Sequence, residues 1–378
     1  MPEKFQNYIN GRWVDARSGK TFENRNPAQW DEVLGIFPLS GREDVDEAVN
    51  AARKAFESWR LVPAPQRGEI MRKVGDLLTA RKEELARQMT KEMGKVLLET
   101  RGDVQEGIDT AYYAASEGRR LFGHTVPSEL PNKFNMAMRM PVGVAAVITP
   151  WNFPMAIPTW KIFPALVCGN TVVFKPASDT PATATALVEI LIEAGIPAGV
   201  INIVHGSGSS VGMALVEHPG IDLISFTGST AVGKKISEVA SKTLKRVSLE
   251  LGGKNAQIVM DDANLDLALE GVLWGAFGTT GQRCTATSRL ILHAKVYDTF
   301  LSMVVDKTKK LRLGNGLDEL VDVGPCVNEG QRTTVDSYVQ IGKSEGAKVV
   351  TGGKIATGNG LSNGWFYEPT ILADVTAE

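Results

Sequence analysis

Between Val142 and Val259 the chain alternates apolar strand-like runs with helical stretches. The order is "VGVAAVIT", a helix through "WKIFPALVC", "TVVFK", a helix opened by Thr180 and Pro181 and stopped by Gly195, "VINIV", a short helix, "IDLISFT", a helix, "KRVSLE" and "NAQIVM". Strand and helix in strict alternation imply a parallel sheet with helices on both faces. The expectation is therefore an α/β fold built on a Rossmann-type parallel sheet. The same pattern says where function should lie, because such sheets bind ligands beyond the carboxyl ends of their strands.

The flanks differ in texture. "FQNYINGRWV" and "EVLGIFPLS" read as short strands around turns, and Ser40-x-x-Glu43 looks like a capping box opening a helix that carries Val45, Val49, Ala52, Phe56 and Trp59 on one face. Residues 65 to 121 continue as charged amphipathic helices whose Lys, Arg and Glu read as solvated faces. At "HTVPSELPNKFNMAMRM" the pattern becomes a hairpin: Phe134, Met136, Met138 and Met140 alternate with other residues beyond a turn at Pro131 and Asn132. Such a methionine stripe is either ordinary core or an edge that pairs with another subunit. Beyond Gly253, a helix in "NLDLALEGVLWGAFG", the strand "RLILH", a helix over 295–311 and a last set ending in "FYEPTILADV" predict a second, short α/β domain.

With 378 residues the chain exceeds what one hydrophobic core usually serves, which predicts two domains. Its 41 basic and 43 acidic residues leave no electrostatic footprint for nucleic acid or an anionic membrane. No leader pattern is visible at Met1 to Tyr8 and no apolar run is long enough to span a bilayer, so the expected location is cytoplasmic. The three cysteines, Cys168, Cys284 and Cys326, show no C-x-x-C spacing, and the four histidines form no H-E-x-x-H. Neither a disulfide framework nor a metal site is expected.

Several strand ends carry reactive or polar groups. "ISFTGSTAVGKKI" is a strand, a glycine turn and a helix, which directs the amides after Gly228 at a helix N-terminus, a natural phosphate seat. Gly228-x-x-x-x-Gly233-Lys234 nearly matches a P-loop, but Lys235 lacks the hydroxyl that holds magnesium there, and the G-x-G-x-x-G pattern is also missing. A tight structural turn is the plain alternative. Lys175 ends "TVVFK", where it either meets a ribose or phosphate or merely closes the strand. Asn152 in "ITPWNFP" is an oxyanion donor or a turn asparagine. Glu250 in "VSLELGGKN" is a base or a solvated charge, beside glycines that let the backbone approach a ligand. Finally, Cys284 in "GTTGQRCTATSR" is a small apolar filler or a nucleophile held in a loop.

Taken together, "PWNFP", "FKPAS", "FTGSTAVG", "LELGGKN" and "GQRCTATSR", in this order, resemble the hydrolytic branch of the NAD(P)-dependent aldehyde dehydrogenase superfamily, and the likeness runs from "YINGRWV" to "EPTILADVTAE". The flanking "KEMGK" and "IPAGVINIV" resemble members acting on carboxylated semialdehydes such as 2-oxoglutarate or succinate semialdehyde. The resemblance implies a cofactor domain over 1–122 and 141–252, an oligomerisation hairpin over 123–140 and a catalytic domain over 253–378. It makes Cys284 the nucleophile, Glu250 the general base, and Asn152 with the Cys284 amide the oxyanion hole. Lys175, Ser178, Gly228, Ser229, Trp151 and Gly252 fall to NAD or NADP, and Trp160, Phe153 and Arg283 to the substrate. A homodimer or tetramer is implied. Glu250 separates this reading from acylating relatives, which release the acyl group to coenzyme A and generally lack that glutamate.

Two residues carry finer expectations. Arg283, adjacent to the nucleophile, either grips the carboxylate of an ω-acid semialdehyde or is a surface or interdomain arginine. Ser178 stands where a glutamate would repel a 2′-phosphate, so NADP is tolerated. Family members continue for about a hundred further residues, comparable to a small domain, including an E-I-F-G-P segment and part of the substrate channel. The expectation is thus a C-terminally truncated chain with exposed apolar surface on its second domain. The alternatives are a non-catalytic nucleotide-binding protein or incomplete gene model, and a magnesium-dependent P-loop ATPase.

Overall fold

The computed structural model describes residues 2–358 and 360–376. Its centre is a seven-stranded sheet in which Arg246–Leu251, Leu223–Gly228, Val144–Ile148, Thr171–Lys175 and Ile201–Ile203 run parallel, in that spatial order. The strand Asn7–Ile9 adds antiparallel to Ile201–Ile203, and Arg12–Val14 closes the edge. The central strands are fully buried because helices cover both faces, as a parallel sheet requires.

The period-two pleat sorts their side chains. Ala145, Val147, Val172, Phe174, Ile201 and Ile203 enter one core with the helices Ala64–Ala80, Lys82–Met93, Leu97–Glu117, Ala156–Val167 and Pro181–Glu193. Val144, Ala146, Ile148 and Val173 enter the other, under Arg42–Trp59 and Thr230–Ser241. Each Val, Ile or Phe among them contributes about 1.5–3 kcal/mol on full burial.

Three expectations change. The helix expected to open with a Ser40–Glu43 box is capped one residue later: Gly41 N–H donates to Asp44 at 2.9 Å, while Ser40 Oγ accepts from Asn7 at 2.8 Å. The shift follows from Asp44, which also accepts from the Arg17 amide. Thr180 caps its helix without a side-chain bond; the buried Glu92 supplies the acceptor, taking the amides of Ala182 and Thr183 at 2.6 and 2.9 Å. The charged helices of residues 65–121 are also not solvated throughout, since Glu92, Lys95, Glu99 and Asp103 are buried.

The hairpin forms as His124–Pro127 paired with Phe134–Ala137, turning at Asn132 with a left-handed φ of 57°. Its methionine stripe is not core: Phe134, Met136, Met138 and Met140 are all exposed. Beyond Gly253, Asn255–Val259 pairs in parallel with Thr287–Leu292 in a separate two-stranded sheet. It packs on Leu265–Phe277 and Tyr297–Thr308 around Val259, Leu269, Val272, Phe300 and Val304. Ile258, Leu267, Trp274 and Ile291 of this unit are exposed. A second pair, Lys348–Thr351 with Ile371–Ala373, follows the helix Glu329–Ser344. Among the described residues no helix is long and apolar enough to cross a membrane.

Candidate active site

The sheet order places the topological switch between Val144–Ile148 and Leu223–Gly228: later strands build outward on either side of that pair. Register then aligns the carboxyl ends, with Leu249 beside Phe226, Phe226 beside Ile148 and Ile148 beside Lys175. Three strand spacings separate Leu249 from Lys175, about 14 Å at about 4.8 Å each. Glu250 and Lys175 therefore stand at the two sides of a row of strand carboxyl ends from which the Asn152 loop and the Gly228 turn also leave.

On the Lys175 side, the ammonium is buried and donates to the Pro176 carbonyl at 2.6 Å. Burial pushes it down to about 8, against the pull of Asp179. Ser178 Oγ donates to the Gly206 carbonyl at 3.1 Å. At the switch, Ser229 is the N-cap of Thr230–Ser241, its Oγ accepting from Val232 N–H at 3.4 Å. A Cβ on Gly228 would lie 2.4 Å from the Phe226 ring, so a side chain there would have to displace that buried ring. A bare helix N-terminus, a cap hydroxyl and a buried ammonium with hydrogens to spare are the donors a dinucleotide's phosphates and hydroxyls need. Trp151 is half-buried beyond Val144–Ile148 and Gly252 exposed beyond Arg246–Leu251, with the strand Leu223–Gly228 between the two.

The three cysteines separate by environment. Cys326 is buried, which pushes its thiol up to about 12, and Cys168 is half-buried and raised likewise. Cys284 is exposed. It follows the short turn Gly278–Gly281, where Thr279 and Thr280 adopt left-handed φ values of 54° and 57°. For β-branched residues that backbone costs about 1–3 kcal/mol each and persists only where surroundings enforce it. Here Thr279 N–H donates to Glu99 at 2.7 Å and Thr280 Oγ1 to the Gly324 carbonyl at 3.0 Å.

Asn152 and the cysteine loop are joined directly: Asn152 Nδ2 donates to the Gln282 carbonyl at 3.0 Å. An amide nitrogen has two hydrogens, so one stays available for an oxyanion. Asn255, five residues past Glu250, donates to the Cys284 carbonyl at 2.7 Å, and a Cβ on Gly253 would stand 3.7 Å from that oxygen. The segment that leaves Glu250 thus runs against the cysteine turn. Glu250 is exposed. Trp160, 46 % exposed, lies on the helix that follows Asn152, and Phe153 is half-buried with the Lys95 ammonium 4.2 Å from its ring centre.

Arg283 departs from expectation. Its guanidinium donates to Glu99 at 3.0 Å and to Thr279 Oγ1 at 2.9 Å, and lies 4.3 Å from the Trp274 ring. With its side chain only 11 % exposed, that fork is turned inward and holds its own loop, so its contacts do not support a grip on a substrate carboxylate. Sequence reasoning also missed Lys161, which donates to Ser225 Oγ at 3.2 Å. Burial lowers its ammonium to about 8, opposed by Glu250. Its signal was available only as a lysine on an otherwise apolar helix face.

The aldehyde dehydrogenase family model matches residues 13–378. The chain belongs to the aldehyde dehydrogenase family. This aldehyde dehydrogenase is 43 % identical to the alpha-ketoglutaric semialdehyde dehydrogenase of Bacillus subtilis, over 99 % of the chain and 77 % of that protein. It is 42 % identical to the NADP(+) succinate-semialdehyde dehydrogenase of Escherichia coli, over 98 % of the chain and 76 % of the relative. Among solved structures, betaine aldehyde dehydrogenase from Staphylococcus aureus in complex with NAD+ superposes with a TM-score of 0.96 at 36 % identity, covering 98 % of this chain and 74 % of that one. The fold is that of the family, and NAD or NADP is the cofactor class. The P-loop reading falls with this assignment, since the Gly228 turn belongs to the family's fold.

Proposed function

We propose that this aldehyde dehydrogenase oxidises a carboxylated semialdehyde to the corresponding dicarboxylic acid. The 2-oxoglutarate and succinate semialdehydes are the first candidates, being what its relatives of 43 % and 42 % identity are named for. The observation that carries the reading is the Asn152–Gln282 bond, which sets an amide donor beside the loop of the exposed Cys284.

The sulfur of Cys284 attacks the aldehyde carbon, and the second hydrogen of Asn152 Nδ2 with the Cys284 amide receives the negative oxygen. Accepting the hydride that turns the adduct into a thioester is the chemistry a nicotinamide dinucleotide would supply when bound. Lys175, Ser178, Gly228, Ser229, Trp151 and Gly252 would hold it, Lys175 toward hydroxyls of the adenosine side and Ser229 toward the pyrophosphate. Glu250 takes a proton from water, the resulting hydroxide cleaves the thioester, and the Cys284 thiolate is released. Lys161 holds positive charge near Glu250. Trp160 and Phe153 line the aldehyde's approach.

The seven-stranded unit, 1–122 with 141–252, is the cofactor domain, and 253–378 the catalytic one; Met1, Asn359, Ala377 and Glu378 lie outside the described residues. The apolar hairpin 123–140 serves a homo-oligomer, and the protein works in the cytoplasm. The test is NAD(P)H formation with succinate semialdehyde, 2-oxoglutarate semialdehyde and a neutral aldehyde of equal length. Higher kcat/KM for the acids is expected; turnover of none, with cofactor still bound, favours the non-catalytic alternative.

A further inference from the structure

The two loops that carry Asn152 and Cys284 belong to different sheets, yet one short segment grips both. Lys95, buried completely, donates to Asp103 at 2.6 Å and to the Asn152 backbone carbonyl at 2.9 Å. Asp103 uses its other oxygen to accept the amide of Ala156 at 2.7 Å, which caps the helix that follows the Asn152 loop. Glu99 stands between them in sequence and faces the other loop, accepting from Thr279 N–H at 2.7 Å and from Arg283 at 3.0 Å. Lys95, Glu99 and Asp103 recur every four residues, so Glu99 and Asp103 share one face of the helix Leu97–Glu117, with Lys95 just ahead of it. None touches the reacting atoms as placed above.

We infer that Lys95, Glu99 and Asp103 are positioning residues: a buried charged ladder that fixes the Asn152 amide against the Cys284 loop. The arrangement explains three observations together. It pairs every buried charge in the set, as burial demands. It enforces the left-handed Thr279 backbone through Glu99. It also gives the inward-facing Arg283 a purpose, since Arg283 is Glu99's charge partner. Misplacement of reacting groups by about 1 Å costs on the order of a hundredfold in rate, so a helix gripping both loops governs turnover without contacting substrate. This inference rests on the roles proposed for Asn152 and Cys284.

The test uses Glu99→Ala and Glu99→Gln in the whole chain. E99A should lower kcat by about tenfold or more while leaving the dissociation constant for the cofactor within about twofold. E99Q keeps an oxygen for Thr279 N–H and should recover part of the loss. In an Asn152→Ala background, adding E99A should lower kcat by less than about twofold further, because the alignment it disturbs no longer serves anything. Amide exchange over residues 279–284 should quicken about tenfold or more in E99A, a readout independent of turnover. Unchanged kcat in E99A, full additivity with N152A, or unaltered exchange would each overturn the ladder. Should E99A not fold, E99Q carries the same comparisons. Wild-type protein that turns over no aldehyde counts against the proposed function instead, and the exchange measurement then decides the ladder alone.

Discussion

Asn152 Nδ2 donates to the carbonyl of Gln282, two residues before Cys284, at 3.0 Å. That bond crosses from the loop after a central strand of the large sheet to the loop of the smaller unit. Asn152→Ala removes both the tether and the proposed oxyanion donor. Steady-state kinetics should show kcat lower by about 10²–10³-fold, with aldehyde KM changed much less.

Cys284→Ala should abolish NAD(P)H formation, whereas Cys326→Ala should not, because the Cys326 thiol is buried and held up at about 12. Glu250→Gln should leave the first turnover intact and stall the thioester. Rapid mixing should then record a burst of NAD(P)H close to one per site, followed by a slow steady state.

Arg283→Ala should lower kcat for neutral and acidic aldehydes alike, since its guanidinium serves Glu99 and Thr279. Parallel kinetics on a neutral aldehyde and a semialdehyde of equal length check this. A KM effect confined to the acids would restore Arg283 as a carboxylate ligand.

The pH dependence of turnover should report Lys161. Its ammonium, lowered to about 8 by burial and opposed by the Glu250 charge, is positive at neutral pH and loses its proton just above it. The wild-type kcat profile should therefore bend near pH 8, and Lys161→Met should remove that bend. A bend near pH 8 that survives in the variant belongs to another group.

His205 gives a stability prediction. Burial, then the nearby Lys175 charge, lowers its imidazole from the ordinary 6.5 to about 3. The unfolded chain therefore binds the extra proton first. The stability this neutral form contributes is present above pH 6.5 and is lost as pH falls toward 3, by up to about 1.4 kcal/mol per pH unit. The apparent Tm of the wild type should fall between pH 6.5 and 5 more steeply than that of His205→Gln.

The parallel sheet was legible because its strands are short apolar runs punctuated by helices, and Lys175, Gly228 and Glu250 were legible as groups standing at strand ends. What escaped was long-range. Lys95, Glu99 and Asp103 read as a solvated helix face, since nothing local says that the partners of Glu99 lie some 180 residues downstream. Arg283 was assigned by its adjacency to Cys284, but adjacent residues point in different directions, and this one turns toward Trp274. The hairpin's methionines show the same limit: alternation gave the strand, and only the structure showed that neither face is covered.

Glu250 rides on the last strand of the large sheet, and Cys284 on a turn beside the small one, with Gly252 to Lys254 as the covalent bridge between the strands involved. The proposed base and the proposed nucleophile are therefore carried by separate platforms. A slight rocking of one platform alters the gap in which water must fit while leaving each group's own surroundings untouched, so thioester breakdown is the step most exposed to changes far from either residue.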